Sequence, residues 1–295
     1  MEISKRFDSI ARKIKIVSYS ITDKLPEEMG KLKIFFMLMG DIKSLHGKQK
    51  FRDTLTLHPQ WNCIYSIDHT YWDGSLNDGR DRSNQPYYCP VGWKRYSLYV
   101  TDKFDEKFKG WCICYHGTKF SYGLSILLSG LAPATTKAHG SGIYLSSSII
   151  YVSHPRFSEV KRIESSYRES FFKSGEYVQY ILECRVHPDN IKNIACETLG
   201  AASTTIDSNI SNDTLDWVIN HQNKQIVDFN DPDASIICTG IMVRITDNHP
   251  GLLPESEWWY KSHLCNNKIC CASGIDRDVL KRLIDNKHTC NIIYD

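Results

Sequence analysis

Three short segments of the chain carry side chains that suit ligand binding. They are residues 115–118 (YHGT), 140–146 (GSGIYLS) and 148–151 (SIIY). An imidazole and several hydroxyl groups can hydrogen-bond to a polar ligand, and a glycine lets the backbone approach it closely. Phenol rings can stack on a planar ring. Taken singly, each segment is also typical of ordinary core packing, so their order along the chain is what gives them weight.

In this order, the three segments resemble those of the ADP-ribosyltransferase family, in its poly(ADP-ribose)-polymerase-like branch. Residues 115–118 are similar to the family's H-G-T strand, which a Gly- and Leu-containing helix follows. Residues 140–146 are similar to its G-x-G-I-Y-F segment. Residues 148–151 match its S-x-x-Y step, which the resemblance places on a helix behind the cofactor. The resemblance implies an α+β fold in which two small mixed or antiparallel sheets, flanked by helices, surround a NAD⁺ cleft.

The resemblance also implies a role for each residue in cleaving NAD⁺. Breaking the nicotinamide–ribose bond builds an oxocarbenium-like charge while a neutral amide leaves, so positioning and electrostatics must supply the rate. By resemblance, His116 hydrogen-bonds the adenosine ribose, while the Gly117 backbone and the Ser148 hydroxyl hold the nicotinamide amide. Tyr144 and Tyr151 sandwich the nicotinamide ring. The NAD⁺-binding residues expected on this basis are His116, Gly117, Thr118, Tyr144, Ser148 and Tyr151.

The third catalytic position of the family is a glutamate on a later strand, and it has two candidate counterparts here. One placement puts Asp216 (LDWVI) at this position, and the other puts Gln225 (KQIV) there. Since neither is a glutamate, the resemblance favours transfer of one ADP-ribose unit over synthesis of a polymer. Glu176 and Glu183 are fallback candidates. The candidate catalytic set is therefore His116 and Tyr144 with Asp216 or Gln225.

The elements that position these residues follow from hydrophobic periodicity. Residues 111–115, 143–145, 177–186 and 235–245 predict strands, because they are short and rich in β-branched and aromatic residues. A helix after residue 118, ended by Gly130, carries one apolar face formed by Leu124, Leu127, Leu128 and Leu131. A second helix is predicted from near Ser158, with Val160, Ile163 and Tyr167 at helical spacing, and a last one over 276–286. Short strands without a βαβ rhythm favour an α+β fold.

Composition narrows the class of protein. The 295 residues, 41% of them hydrophobic, are enough for a full core, and 36 basic against 34 acidic residues favour neither nucleic acid nor an anionic membrane. No apolar run approaches the roughly 20 residues that span a bilayer. Eleven scattered cysteines indicate reduced thiols and a cytoplasmic location. We expect no metal, because the group His263, Cys265, Cys270 and Cys271 lacks the paired CxxC of zinc sites.

Three regions are predicted along the chain. Residues 1–60 form an N-terminal helical and basic extension, 61–250 the catalytic domain and 251–295 a C-terminal extension. Within the domain, an aromatic loop region (61–100) precedes the signature core (110–245), and its aromatic density predicts ordered loops. This region also carries polar residues that could shape the acceptor side or, as arginines, reach the pyrophosphate. They are Asp68, His69, Asp73, Arg80, Arg82, Trp93, Arg95 and Tyr96.

The leading functional hypothesis is a mono-ADP-ribosyltransferase that uses NAD⁺ as substrate and modifies a protein side chain. The resemblance makes ubiquitin the first acceptor to test. A catalytically inactive module that binds NAD⁺ or ADP-ribose in the same cleft is the alternative. A third hypothesis, an RNA 2′-phosphotransferase, would require clustered arginines and a basic surface, which the composition does not favour.

Overall fold

The computed structural model describes residues 14–16, 55–66, 75–76, 82–85, 87–134, 138–163, 175–201, 204–260 and 292–293. In these ranges the protein has an α+β fold dominated by short strands. The strands are β1 (Ile14–Ile16), β2 (Leu55–Leu57), β3 (Cys63–Ile64), β4 (Ser75–Leu76), β5 (Tyr87–Tyr88), β6 (Lys94–Ser97), β7 (Cys112–Gly117), β8 (Ile143–Leu145), β9 (Lys161–Arg162), β10 (Tyr177–Val186), β11 (Ile191–Ala195), β12 (Asp216–Ile219), β13 (Ile236–Thr246) and β14 (Ile292–Ile293). The α-helices are α1 (Phe104–Lys107), α2 (Phe120–Ser129) and α3 (Ile149–Val152). Single turns of 3₁₀-helix occur at Pro59–Trp61, Pro188–Asn190, Asn212–Thr214 and Pro250–Leu252, with a longer one at Pro254–Tyr260.

The larger sheet has the order β3-β6-β13-β10-β7, and all neighbours pair antiparallel. β9 adds to β10, and β14 adds to β13. Every residue of β13 is buried, because apolar side chains pack on both faces of the sheet. Opposite β10, Glu183 pairs with Gly240 and Cys184 with Cys238, so Thr239 is the extra residue of a β-bulge. The bulge aims Thr239 at the Glu183 side chain, to which it hydrogen-bonds at 3.0 Å.

The smaller sheet has the order β11-β12-β8 and meets the larger one edge to edge. β12 pairs antiparallel with both of its neighbours. The contact between the sheets is an isolated bridge between Tyr115 of β7 and Ser146, the residue that follows β8. Each N–H of this pair donates to the carbonyl of the other, at 2.7 and 3.1 Å. We call this place the sheet joint, and it brings the end of β7 against β8.

Two apolar clusters cover the faces of the larger sheet. Successive residues of β7 alternate between them, as the pleat of a strand requires: Cys112 and Cys114 lie in one cluster, Ile113 and Tyr115 in the other. The first cluster contains the apolar face of α2, and the second is rich in aromatic rings. Members of the second cluster include Tyr65, Tyr87, Trp93, Tyr151, Trp258 and Trp259. Tyr65, Tyr87 and Trp93 come from the aromatic loop region, so these described residues of the region pack on the core.

Most of the predicted elements are confirmed with small shifts of their ends. Residues 143–145 and 177–186 are β8 and β10, while the other two predicted strands are β7 and β13, each beginning one residue later than expected. The predicted helix is α2, which ends before Gly130 at φ +99°. A Cβ at Gly130 would lie 1.9 Å from the Val227 carbonyl oxygen, so a glycine is required here. Leu131 lies beyond the helix, in a bridge with Val227.

The predicted helix from Ser158 is wrong over its described part. Residues 158–160 are not helical and lead directly into β9. The buried Ser158 hydroxyl donates to the Tyr180 carbonyl at 2.8 Å, and the Ile163 N–H donates to the Glu176 carbonyl at 2.7 Å. These hydrogen bonds hold the segment against β10, so the spacing of Val160 and Ile163 reflects packing of a loop and a strand.

Several predictions concern residues outside the described ranges. They include most of the 1–60 extension, most of 261–295 with the helix at 276–286, and Asp68, His69, Asp73, Arg80, Tyr167, His263, Cys265, Cys270 and Cys271. The cysteines in the described ranges are free thiols. No helix in the described part of the chain combines the length and apolar character that a membrane crossing needs.

Candidate functional site

His116 lies near the end of β7, on the larger-sheet side of the sheet joint. Its Nδ1 is 3.0 Å from the carbonyl oxygen of Tyr144. Because a carbonyl only accepts, Nδ1 carries the proton, and Nε2 is left as an acceptor in the neutral ring. Burial lowers the pKa of His116, against the opposing effect of the Tyr144 carbonyl. The ring is therefore neutral at pH 7, and its Nε2 has no hydrogen-bond partner among the described residues.

Tyr144 lies across the sheet joint on β8 and is held by the turn that precedes the strand. Its hydroxyl donates to the Gly140 carbonyl at 2.9 Å and accepts from the His139 N–H at 2.8 Å. Gly140 has φ +97°, and a Cβ at Gly142 would lie 2.5 Å from a methyl group of Val218. The two glycines of this turn are thus needed for its conformation and close packing. The Tyr144 side chain is only half-buried.

The third segment forms the start of α3. Ser148 is its N-cap: the hydroxyl accepts from the Tyr151 N–H at 3.2 Å and donates to a carboxylate oxygen of Asp207 at 2.5 Å. The Tyr151 hydroxyl accepts from the Thr198 N–H at 2.9 Å and donates to Oδ2 of Asp216 at 3.2 Å. Burial raises the pKa of Tyr151, so this hydroxyl remains protonated at neutral pH. Tyr151 is 1% exposed and acts here as a support for Asp216.

Of the two residues considered for the third catalytic position, the structure brings Asp216 to the sheet joint and leaves Gln225 away from it. Asp216 begins β12 and is 4% exposed. Its Oδ2 lies 3.2 Å from the Tyr151 hydroxyl and 3.8 Å from Nε2 of His139. Burial raises the pKa of Asp216 to about 6, against hydrogen bonds from Thr198 and Tyr151 that lower it. Gln225 is exposed in the loop after β12.

These contacts form one continuous chain across the sheet joint. His116 contacts the carbonyl of Tyr144, and the phenol of Tyr144 contacts the backbone of His139. The ring of His139 lies beside Asp216, which accepts from Tyr151. This chain of contacts links the neutral imidazole of His116, the half-exposed phenol of Tyr144 and the carboxylate of Asp216. Such a set can hydrogen-bond the hydroxyl groups of a sugar and stabilise a nearby positive charge.

Phe157 covers the backbone of Gly117. A Cβ at Gly117 would lie 2.8 Å from the Cβ of Phe157. The ring of Phe157 meets that of Tyr151 edge-on with centroids 5.0 Å apart, and Trp258 stacks on Tyr151 at 6.0 Å. Phe157 thus occupies the place beside Gly117 and Tyr151 where a nicotinamide ring is expected. Removing these ring surfaces from water stabilises the covered arrangement.

Thr118 takes no part in the contacts at the sheet joint. The same is true of Glu176 and Glu183, the further candidates for the third catalytic position. The buried Thr118 side chain hydrogen-bonds to Tyr180. Glu176 pairs with an exposed arginine before β10. Glu183 pairs with Arg95 on the face of the larger sheet that carries the second cluster. Arg82 is buried on that same face, so neither described arginine of the aromatic region is among the contacts of the joint.

Four residues of the site were not predicted from the sequence: His139, Phe157, Thr198 and Asp207. His139 directly precedes the GSG turn, and this neighbouring position is the one feature of the sequence that could have identified it as a site residue. The others lie in irregular segments and reach the site only through contacts that are distant in sequence. No group of three His, Cys, Asp or Glu side chains in the described ranges is arranged to hold a metal ion.

No protein-family model matches the chain, and no curated protein matches it either.

Proposed function

We propose that this chain transfers one ADP-ribose unit from NAD⁺ to a protein side chain and releases nicotinamide. The observation that carries the proposal is the chain of contacts at the sheet joint. In it Tyr151 contacts Asp216 directly, while His116 and Tyr144 are linked to Asp216 through His139. Apart from His139, these residues come from the three segments that resemble the ADP-ribosyltransferase family and from one of the two placements for its third position. Two antiparallel sheets beside short helices are compatible with the fold that the resemblance implies.

In the proposed complex, His116 recognises a ribose hydroxyl. A neutral imidazole whose Nδ1 proton is held by a carbonyl must accept at Nε2, and a sugar hydroxyl is a matching donor. The lowered pKa of His116 keeps this acceptor available over the neutral range. Tyr144 offers the partly exposed side of its ring to a planar group, since its hydroxyl is fixed by the turn.

Asp216 supplies the electrostatic stabilisation in the proposed reaction. The bond between the ribose C1′ and the nicotinamide nitrogen breaks, and its electron pair leaves with neutral nicotinamide. The acceptor then donates a lone pair to C1′ and loses its proton to solvent, so the charges balance. A carboxylate near the ribose stabilises the positive charge that develops between these events. Since the pKa of Asp216 is about 6, this carboxylate is ionised above that pH.

Phe157 must move before a nicotinamide ring can reach the backbone of Gly117. Its side chain is half-buried and belongs to the loop between α3 and β9, so its departure requires no change in either sheet. Displacing it also frees one edge of Tyr151. We infer that the described conformation is closed at the nicotinamide position and that NAD⁺ binding selects an open one.

One observation favours a second candidate, a module that binds NAD⁺ or ADP-ribose without turnover. The carboxylate of Asp216 is one methylene shorter than a glutamate, and it already accepts from Tyr151. A carboxylate held in this way can support the cleft without reaching the ribose. The same fold would then recognise the ligand and perform no chemistry.

Labelled NAD⁺ distinguishes the two candidates. The full chain is incubated with a cell lysate and, separately, with purified ubiquitin, and His116→Ala, Asp216→Ala and the exposed Gln225→Ala are compared with the wild type. We expect labelled protein from the wild type and Gln225→Ala, and a loss on the order of 10²-fold in both other variants.

The binding module would give no labelled protein, but NAD⁺ would still raise its Tm, and His116→Ala would remove that rise. A wild type that neither labels protein nor shifts its Tm with NAD⁺ would refute both candidates. Labelling of ubiquitin alone would identify the acceptor, and labelling of other lysate proteins would exclude ubiquitin as the preferred one.

A further inference from the structure

A second cavity lies away from the sheet joint, near the start of β7. Its volume is ~730 Å³, within the range of small-molecule sites. Ile113 of β7 and two side chains of β10, Glu183 and Arg185, line its floor. Residues two apart on a strand share a face, so Glu183 and Arg185 point the same way. None of the residues assigned to NAD⁺ in the proposed function lines this cavity.

The negative charge on the floor is already neutralised. Arg95 contacts Oε1 of Glu183 through Nε at 2.9 Å and through a terminal nitrogen at 2.8 Å. Thr239 donates to the same oxygen at 3.0 Å. The remaining donors of Arg95 reach the carbonyls of Trp61 and Thr239. Burial would raise the pKa of Glu183, but Arg95 holds it below its ordinary value, so the pair is ionised and complete.

Arg185 has no such partner. No described carboxylate lies within ion-pair distance of it. Its Nε is buried without a hydrogen-bond partner, and one terminal nitrogen reaches the Trp111 carbonyl at only 3.5 Å. Burial and the nearby charge of Arg95 lower the pKa of Arg185, although Glu183 opposes this. The guanidinium lies 5.6 Å from the centroid of the Phe104 ring, which is a weak contact for a cation removed from water. Nε of Arg185 is therefore an unused donor beside a cavity.

The walls combine a second guanidinium with aromatic rings. Arg82 is buried and lies 5.0 Å above the ring of Tyr87. At the mouth, Trp61 is 58% exposed, although large aromatic side chains are seldom left in water. Tyr99 also lines the cavity and stacks on His58. The site thus offers positive charge at its floor and flat apolar surface at its opening.

The acidic residues that also line the cavity lie on and beside α1. They are Asp102, Asp105 and Glu106, and Glu106 pairs with Lys103 while both are more than three-quarters exposed. Charges in water at this position are screened and contribute little to the potential at the floor. They therefore leave a small anion free to reach the floor, while an extended polyanion would lie directly against the acidic side chains of α1. This distribution favours a compact ligand over a nucleic-acid strand.

We propose that this cavity binds a nucleoside phosphate, with its phosphate on Arg185 and its base against Trp61 and Tyr99. A guanidinium fork matches phosphate oxygens, and the ligand supplies the counter-ion that Arg185 lacks. The volume accommodates a mononucleotide, and the aromatic mouth suits its planar base. The site is separate from the sheet joint and does not depend on the proposed transfer reaction.

Calorimetric titration of the full chain with adenosine monophosphate, adenosine and ribose 5-phosphate tests this assignment. We expect the monophosphate to bind, adenosine to bind at least about tenfold more weakly, and Arg185→Gln to lower the affinity for the monophosphate by at least about tenfold. The matched control Lys103→Gln removes a charge from the exposed rim and should change the affinity by less than about twofold. His116→Ala should leave this binding unchanged, which separates the cavity from the proposed NAD⁺ cleft.

Trp61→Ala provides a second test that does not perturb the buried floor. This substitution should weaken the binding of adenosine monophosphate and leave the binding of ribose 5-phosphate unchanged, because only the first ligand carries a base. Equal affinity for adenosine and its monophosphate, an unchanged affinity in Arg185→Gln, or no binding at millimolar ligand would overturn the assignment. Loss of binding in His116→Ala would also overturn it, since the ligand would then occupy the other site.

Discussion

Replacement of Asp216 by asparagine should stabilise the protein at neutral pH and abolish the proposed reaction. Burial raises the pKa of Asp216 from 3.8 to about 6. A carboxyl whose folded pKa is raised adds to stability below pH 3.8, and this contribution is lost as the pH rises through about 6. A rise of roughly two pH units corresponds to about 3 kcal/mol of unfavourable ionisation at pH 7.5. The amide avoids this ionisation and still accepts a hydrogen bond from Tyr151.

Urea denaturation at pH 3.5 and pH 7.5 measures the effect. We expect the free energy of unfolding of Asp216→Asn to exceed that of the wild type by about 1–3 kcal/mol at pH 7.5 and to match it closely at pH 3.5. The control Asp213→Asn, at an exposed position shortly before β12, should change stability by less than about 0.5 kcal/mol at both pH values. In the wild type, transfer should increase with pH through about 6, because the ionised form of Asp216 is required.

Two results would refute this reasoning. Asp216→Asn could be less stable than the wild type at pH 7.5, which would mean that the ionised carboxylate contributes to folding. Alternatively, the variant could retain transfer activity within about tenfold of the wild type. The carboxylate would then have no part in stabilising the transition state, and Asp216 would be a structural residue.

Three further predictions follow from the packing. Phe157→Ala should lower the Kd for NAD⁺ by about three- to tenfold in calorimetric titration, because a ring that must move is absent; weaker binding would show that the ring supports the ligand. Glu183→Gln should reduce the free energy of unfolding by about 3–5 kcal/mol at pH 7, because Arg95 loses its counter-ion. The pKa of Glu183 is lowered, so in urea denaturation this difference should narrow as the pH falls below 4.5, and a constant difference would contradict an ionised pair. Gly130→Ala, at φ +99° and facing the Val227 carbonyl, should cost about 1–3 kcal/mol in the same measurement with unchanged transfer per folded molecule, and a neutral effect would mean that the chain can relax there.

The elements that were predictable from the sequence are those whose side chains report burial locally. β8, β10 and α2 carry β-branched residues or a leucine face bounded by glycine, and these patterns decide their type. α3 could be expected only from the resemblance of residues 148–151 to the family's S-x-x-Y helix, because four apolar residues cannot display a helical period. The false helix at Ser158 has the opposite cause: Val160 and Ile163 are spaced as in a helix, but hydrogen bonds to β10 and to the residue before it fix their conformation.

The candidate site was predictable only in part for a related reason. His116, Tyr144 and Tyr151 lie in segments with recognisable residue types. In the structure His116 contacts Tyr144 directly, and Tyr151 is linked to them through Asp216 and His139. The choice between Asp216 and Gln225 depends on the register of β12 against β8, which no local pattern encodes. The covering ring of Phe157 is likewise a contact between a loop and a strand end, and sequence spacing gives no indication of it.

The two sheets are joined by the isolated bridge between Tyr115 and Ser146. Few backbone hydrogen bonds therefore resist separation of the sheets at this place. Among the described residues, one pair of backbone hydrogen bonds joins the sheets at this bridge, whereas β10 and β13 are paired along their whole length. A molecule that contacts both sheets would hold them together. The amide hydrogens of Tyr115 and Ser146 would then exchange with solvent more slowly in its presence. A bound molecule would therefore add a connection between the sheets at a place where the described residues provide few.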